Sequence, residues 1–115
     1  MTTLEILKAG RTLLTPPGTW IQGLAAQDRE GFGILPEDAD AICWCSLGAL
    51  RRVRQGATVS YAQALLQLVN GMPCQPEGDF CLAELVFRWN DQPGRTQDEV
   101  LALFDKAIAA EESQQ

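Results

Sequence analysis

Trp89-Asn90-Asp91-Gln92-Pro93-Gly94-Arg95-Thr96-Gln97-Asp98-Glu99-Val100-Leu101-Ala102-Leu103-Phe104-Asp105-Lys106-Ala107-Ile108-Ala109-Ala110 is the stretch whose reading decides the fold. Thr96 and Glu99 have the spacing of a capping box, in which the hydroxyl accepts from the Glu99 amide and the carboxylate accepts from the Thr96 amide. Asp98 and Glu99 place negative charge in the first turn, where the helix dipole is positive. Val100, Leu103, Phe104, Ala107 and Ile108 then fall on one stripe at helical spacing. Upstream, Asn90 to Gly94 is a cluster of helix breakers. The segment predicts a helix end, a fixed turn and an amphipathic C-terminal helix.

The segment before the turn predicts a helix capped by Asp79 and running through about Trp89. Phe80, Leu82, Ala83, Leu85, Val86, Phe87 and Trp89 cover more than one side of it, and only Glu84 and Arg88 are charged. A helix apolar over most of its surface belongs at the centre of a fold. We therefore expect this helix in the middle, with the C-terminal helix packed against it across the Asn90–Arg95 turn.

Working toward the N-terminus, Ser60 opens a helix whose face is Tyr61, Leu65, Leu68 and Val69, and Asn70-Gly71 ends it. Ser46 is the expected N-cap of a helix carrying Leu47, Leu50 and Val53 and ending near Gly56. Gly48 inside that helix weakens it unless another segment packs close to the backbone there. Ala41–Cys45 and Trp20–Ala25 read as two short strands that pair as a hairpin; a continuous helix from Asp40 to Gln55 is the rival reading. Between the strands lies a polar loop in which Phe32, Ile34 and Leu35 are apolar, so part of it folds back on the core. Thr2-Thr3-Leu4-Glu5 has capping-box spacing too and opens a first helix, which runs from about Thr3 to Leu14 until Thr15-Pro16-Pro17-Gly18 stops it. The expected fold is mainly α: a compact bundle of about five helices with a small two-stranded β-hairpin, in one globular domain over residues 1–115.

A chain of 115 residues buries roughly two thirds of its unfolded surface, enough for one core without metals or disulfides. The net charge of −6 disfavours nucleic acid, which needs a basic face. Arg51, Arg52 and Arg54 form a short basic cluster, read either as a solvated helix face or as a contact for phosphate or an acidic partner. No stretch approaches the length of a membrane-spanning helix. The segment MTTLEILKAG lacks the basic and apolar regions of a signal peptide, so the expected location is cytoplasmic.

Histidine is absent, which removes Ser-His-Asp and Cys-His catalysis and His-ligated metals. Cys43, Cys45, Cys74 and Cys81 lack the spacing of a zinc ribbon or finger. Buried structural thiols are the leading reading, beside a metal site or a reactive thiol. Cys45, just before a helix start at Ser46, has the best case for reactivity, because a helix N-terminus lowers a thiol pKa. Trp20, Trp44 and Trp89 read as core anchors or as a partner-holding surface. Asn90, Asp91, Arg95 and Thr96 read as turn and cap chemistry or as a polar site at a helix junction.

Three motifs stand out: Trp20-x-Gln22-Gly23; Trp44-Cys45-x-Leu47-Gly48-Ala49-Leu50; and Trp89-Asn90-Asp91-x-Pro93-Gly94-Arg95-Thr96 followed by Glu99-Val100-Leu101. Their combination resembles a family of small bacterial and phage proteins that forms a domain of unknown function. The resemblance implies a compact cytosolic protein encoded by actinobacterial or proteobacterial genomes and their phages, and it supplies no catalytic residues.

The functional expectation is a non-enzymatic protein-binding or regulatory module, a phage or mobile-element accessory acting on a host protein. It needs no cofactor and no metal, binds neither nucleic acid nor membrane, and leaves homo-oligomerisation open. Its candidate binding residues are Trp20, Gln22, Trp44, Cys45, Asn90, Asp91 and Arg95. The alternative is a small enzyme or ligand-binding protein using a reactive Cys45 with Asp91 or Arg95.

Overall fold

The computed structural model describes residues 1–114. Five helices and one short hairpin follow in order: α1 (Thr3–Leu13), β1 (Ala26–Gln27), β2 (Cys43–Trp44), α2 (Ser46–Val53), α3 (Thr58–Gly71), α4 (Leu82–Asn90) and α5 (Gln97–Glu112). The mainly α architecture with a two-stranded antiparallel hairpin is the one the sequence predicts.

Two helices begin as their capping boxes dictate. Thr2 caps α1 and Thr96 caps α5, each in reciprocal exchange with the glutamate three residues on. Other starts differ. Cys45 rather than Ser46 caps α2, with its sulfur accepting from the Gly48 amide at 3.2 Å. Ser46 is the first helical residue, and its hydroxyl is used elsewhere, as described below. α3 starts at Thr58 rather than Ser60, and α4 is preceded by Cys81 rather than Asp79, neither with a side-chain cap.

The core is built on α1, α3 and α5, which pack against one another. Ile6 and Leu7 of α1, Leu65 and Leu68 of α3, and Val100, Leu103 and Phe104 of α5 are buried there. α4 is not the central helix. It packs on α2 and α3 rather than on α5, and only Val86, Trp89 and Asn90 of it are buried. Its other apolar side chains are half-buried, and the Arg88 guanidinium lies 4.0 Å from the centre of the Phe80 ring. The apolar count of α4 misled because coverage, not composition, sets position: one narrow stripe faces inward. The turn after it, with Gly94 at φ +83, swings α5 away onto α1 and α3. Such a φ is a conformation that glycine adopts without strain.

The hairpin is shorter than expected and its first strand lies further along. Ala26 pairs with Trp44 and Gln27 with Cys43. Trp20 makes only an isolated parallel bridge to Trp44: the Trp44 amide donates to Thr19 and the Ile21 amide to Trp44. Residues 21–23 are tied sideways to the end of α4 rather than paired as a strand. The rival helix from Asp40 is not formed. The arm joining β1 to β2 sends Ile34 and Pro36 inward, but Phe32 and Leu35 face solvent, 69% and 64% exposed.

Candidate functional site

The three sequence motifs meet at Asn90, which is fully buried. Its Oδ1 accepts from the Trp20 indole Nε1 at 2.6 Å, the Ser46 amide at 2.9 Å and the Ser46 hydroxyl at 2.6 Å. Its Nδ2 donates to the Ile21 carbonyl at 3.0 Å and to Asp91 Oδ1 at 3.1 Å. That Asp91 oxygen also accepts from the Gly23 amide. Gln22 Nε2 donates to the carbonyls of Asn90 and Gln92. The last turn of α4, the first residue of α2 and the 20–23 segment are thereby joined through one amide.

Among the described residues, no buried side-chain nitrogen or oxygen lacks a hydrogen-bond partner. The buried part of this network is satisfied by the protein's own groups and holds the elements in register. Of the seven candidate residues, Trp20, Gln22, Asn90 and Asp91 are brought together here. Ser46 belongs with them and was missed as a member. Its expected capping role absorbed the only signal the sequence carried.

Trp44 and Arg95 are placed elsewhere. Trp44 is buried, and its indole donates to the Pro36 carbonyl at 3.1 Å. The Arg95 guanidinium lies 3.9 Å from the centre of the Trp89 ring, and its Nε donates to the Trp89 carbonyl. Beside that stack, Gly71, Pro73, Trp89 and Leu103 line an apolar slot of about 190 Å³. That is smaller than the usual range for small-molecule sites. Asp91 also borders an open hollow of about 470 Å³ with Glu84, Phe87 and Arg88.

Cys45 sits where two effects oppose. Its position at the start of α2 and the hydrogen bond from the Gly48 amide favour the thiolate. Burial disfavours it and wins: the side chain is inaccessible, and its thiol is pushed up to about 11. Cys43 is also buried and raised by burial, whereas Cys74 and Cys81 are exposed. Among the described residues, no three His, Cys, Asp or Glu side chains are grouped to hold a metal.

The basic cluster is neither idle nor free. Arg51 pairs with Glu37 at 3.2 Å. Arg52 donates to the carbonyls of Pro36 and Asp38 and lies over Trp44. Arg54 lies over Tyr61. Two of the three arginines thus clamp the arm to α2.

These features define a small five-helix protein whose long-range order is set by a buried asparagine junction and an arginine-clamped arm. The chain belongs to DUF6197, a family of unknown function, whose model matches residues 1–110. No curated protein and no solved structure matches it. No helix among the described residues is long and apolar enough to cross a membrane.

Proposed function

We propose that the chain is a non-enzymatic protein-binding or regulatory module that holds its partner on the β1–β2 arm. The observation that carries this is the exposure of Phe32 and Leu35 on a backbone that is locked. The Asp28 amide donates to the Phe32 carbonyl, and Asp28 Oδ1 accepts from the amides of Glu30 and Phe32. The Ile34 amide donates to Ala26, and the Asp38 amide donates to Leu35. Burying a side chain of this size is worth about 1.5–3 kcal/mol, so a rigid arm that leaves two in water favours association. In the phage or mobile-element setting that the sequence resemblance implies, the partner is a host protein. The reactive-Cys45 alternative is disfavoured by the burial of that thiol.

A photo-crosslinking amino acid at position 35, with position 59 as control, tests the reading inside the native host cell. Val59 is 85% exposed on α3 and outside the arm. A discrete protein adduct from position 35 alone is expected. No adduct, or the same adducts from both positions, overturns the proposal.

A further inference from the structure

Four of the seven exposed large apolar side chains among the described residues, Leu24, Phe32, Leu35 and Ile42, lie between residues 24 and 42. The Leu24 side chain lies against Gly33, where an added Cβ would come within 3.2 Å of it. This sets Leu24 beside the Phe32 turn. The same arm is acidic: Asp28, Glu30, Glu37, Asp38 and Asp40 stand against Arg29 alone. Glu37 is satisfied by Arg51. Asp28, Arg29 and Glu30 from one limb and Ala39 and Asp40 from the other line an open hollow of about 450 Å³, and Asp28 adjoins the Phe32 turn through its hydrogen bond from the Phe32 amide.

Negative charge beside exposed apolar surface repels anionic lipid and nucleic-acid phosphate and selects a cationic partner. A second copy of this chain fits poorly. Arg51, Arg52 and Arg54 are held as described above. Lys8, Arg11, Arg88 and Arg95 pair with Glu112, Asp105, Glu84 and Glu99. No clustered basic face is left among the described residues to meet the arm.

We propose that the arm receives a basic segment of a partner protein, with a Lys or Arg side chain in the hollow between Asp28–Glu30 and Ala39–Asp40 and an apolar side chain against Phe32 and Leu35. This rests on the protein-binding reading and adds the chemistry of the partner. The apolar contact supplies affinity, and the acidic hollow supplies charge selection and a salt-sensitive association rate.

A displayed library of short random peptides, selected on the immobilised full chain, tests it. Selected peptides are expected to join Lys or Arg to an aromatic or aliphatic residue. Their affinity is expected to drop about tenfold with Glu30→Lys or Asp40→Lys, and as much with Phe32→Ser or Leu35→Ser, while Val59→Ser leaves it unchanged. It should also weaken as salt rises from about 0.05 to about 0.5 M. Unchanged thermal melting of each variant shows that the fold is kept. Selected peptides without basic residues, or binding indifferent to Glu30→Lys and Asp40→Lys, overturn the proposal. So does a dimer in sedimentation that Phe32→Ser dissociates, or binding to vesicles of anionic lipid that Phe32→Ser abolishes. If crosslinking from position 35 captures a protein while no basic peptide is selected, the protein-binding reading survives and the basic segment does not.

Discussion

The side-chain oxygen of Asn90 lies 2.6 Å from the Ser46 hydroxyl and 2.9 Å from the Ser46 amide, so the last residue of α4 grips the first residue of α2. The same oxygen holds the Trp20 indole. One buried acceptor therefore serves three donors from two distant segments. Removing it leaves all three without that partner, the two from Ser46 in a buried site and the Trp20 indole in a partly buried one.

Asn90→Ala is expected to lower stability by about 3 kcal/mol or more, since each stranded buried donor carries a desolvation penalty. Asn90→Asp keeps the acceptor but sets a carboxylate against the Ile21 carbonyl and Asp91, so it does not rescue. Urea unfolding midpoints measure both. An Asn90→Ala protein within about 1 kcal/mol of the parent would show that the junction is dispensable.

Gly48 supplies a second test at the same junction. In an exposed helix interior, Gly→Ala stabilises by about 1 kcal/mol. Here an added Cβ would fall 1.9 Å from the Ala25 carbonyl oxygen, which is backbone and cannot swing aside. Gly48→Ala is therefore expected to destabilise, by about 2 kcal/mol or more, and to loosen the hairpin, where the Cys45 amide donates to that same Ala25 oxygen. A variant more stable than the parent in thermal melting contradicts the close approach.

Chain-local features were legible in the sequence, and features set by distant contacts were not. The Thr2–Glu5 and Thr96–Glu99 boxes were readable because both partners sit within one turn. The cost of Gly48 was readable, although the segment that approaches it was not. Residues 20–25 looked like a strand because nothing nearby shows that Gln22 and Gly23 are tied to Asn90, Asp91 and Gln92, some 68 to 70 residues later. Trp20, Gln22, Asn90 and Asp91 could be named among seven candidates, but which of the seven meet, and their closure around Asn90, needed coordinates. Phe32 and Leu35 resembled core residues by type. Only the turns that fix the arm decide that Ile34 goes in and its neighbours stay out.

Cys45 separates a structural thiol from a reactive one. Alkylation of folded protein with iodoacetamide is expected to modify Cys74 and Cys81 at ordinary rates and Cys45 only as fast as the protein opens. Because the folded thiol is raised to about 11, the unfolded chain loses its proton first as pH climbs. Stability attributable to this group is thus intact below about pH 8.5 and falls as pH rises toward the folded value. Cys43 and Tyr61, both raised by burial, add to the same alkaline loss. Prompt labelling of Cys45 in folded protein would restore the nucleophile reading.

The acid side tests the α5 cap. The Glu99 carboxyl is held below its ordinary range by the hydrogen bond from the Thr96 amide, with the Thr96 hydroxyl and Arg95 assisting. A lowered folded pKa means that the stabilisation is present above the unfolded value of about 4.3 and is lost as pH falls through the folded one. Glu99→Gln removes the charge but keeps an acceptor oxygen. It is therefore expected to melt lower than the parent at neutral pH, with the gap closing as pH drops below about 4. The gap should also narrow in high salt, because the carboxylate is exposed and its attraction to the helix end is screened. A gap that stays constant from neutral to acid pH would mean that the ionised carboxylate contributes nothing to starting α5, leaving the Thr96 hydroxyl and the buried stripe of Val100, Leu103, Phe104 and Ala107 to hold the helix.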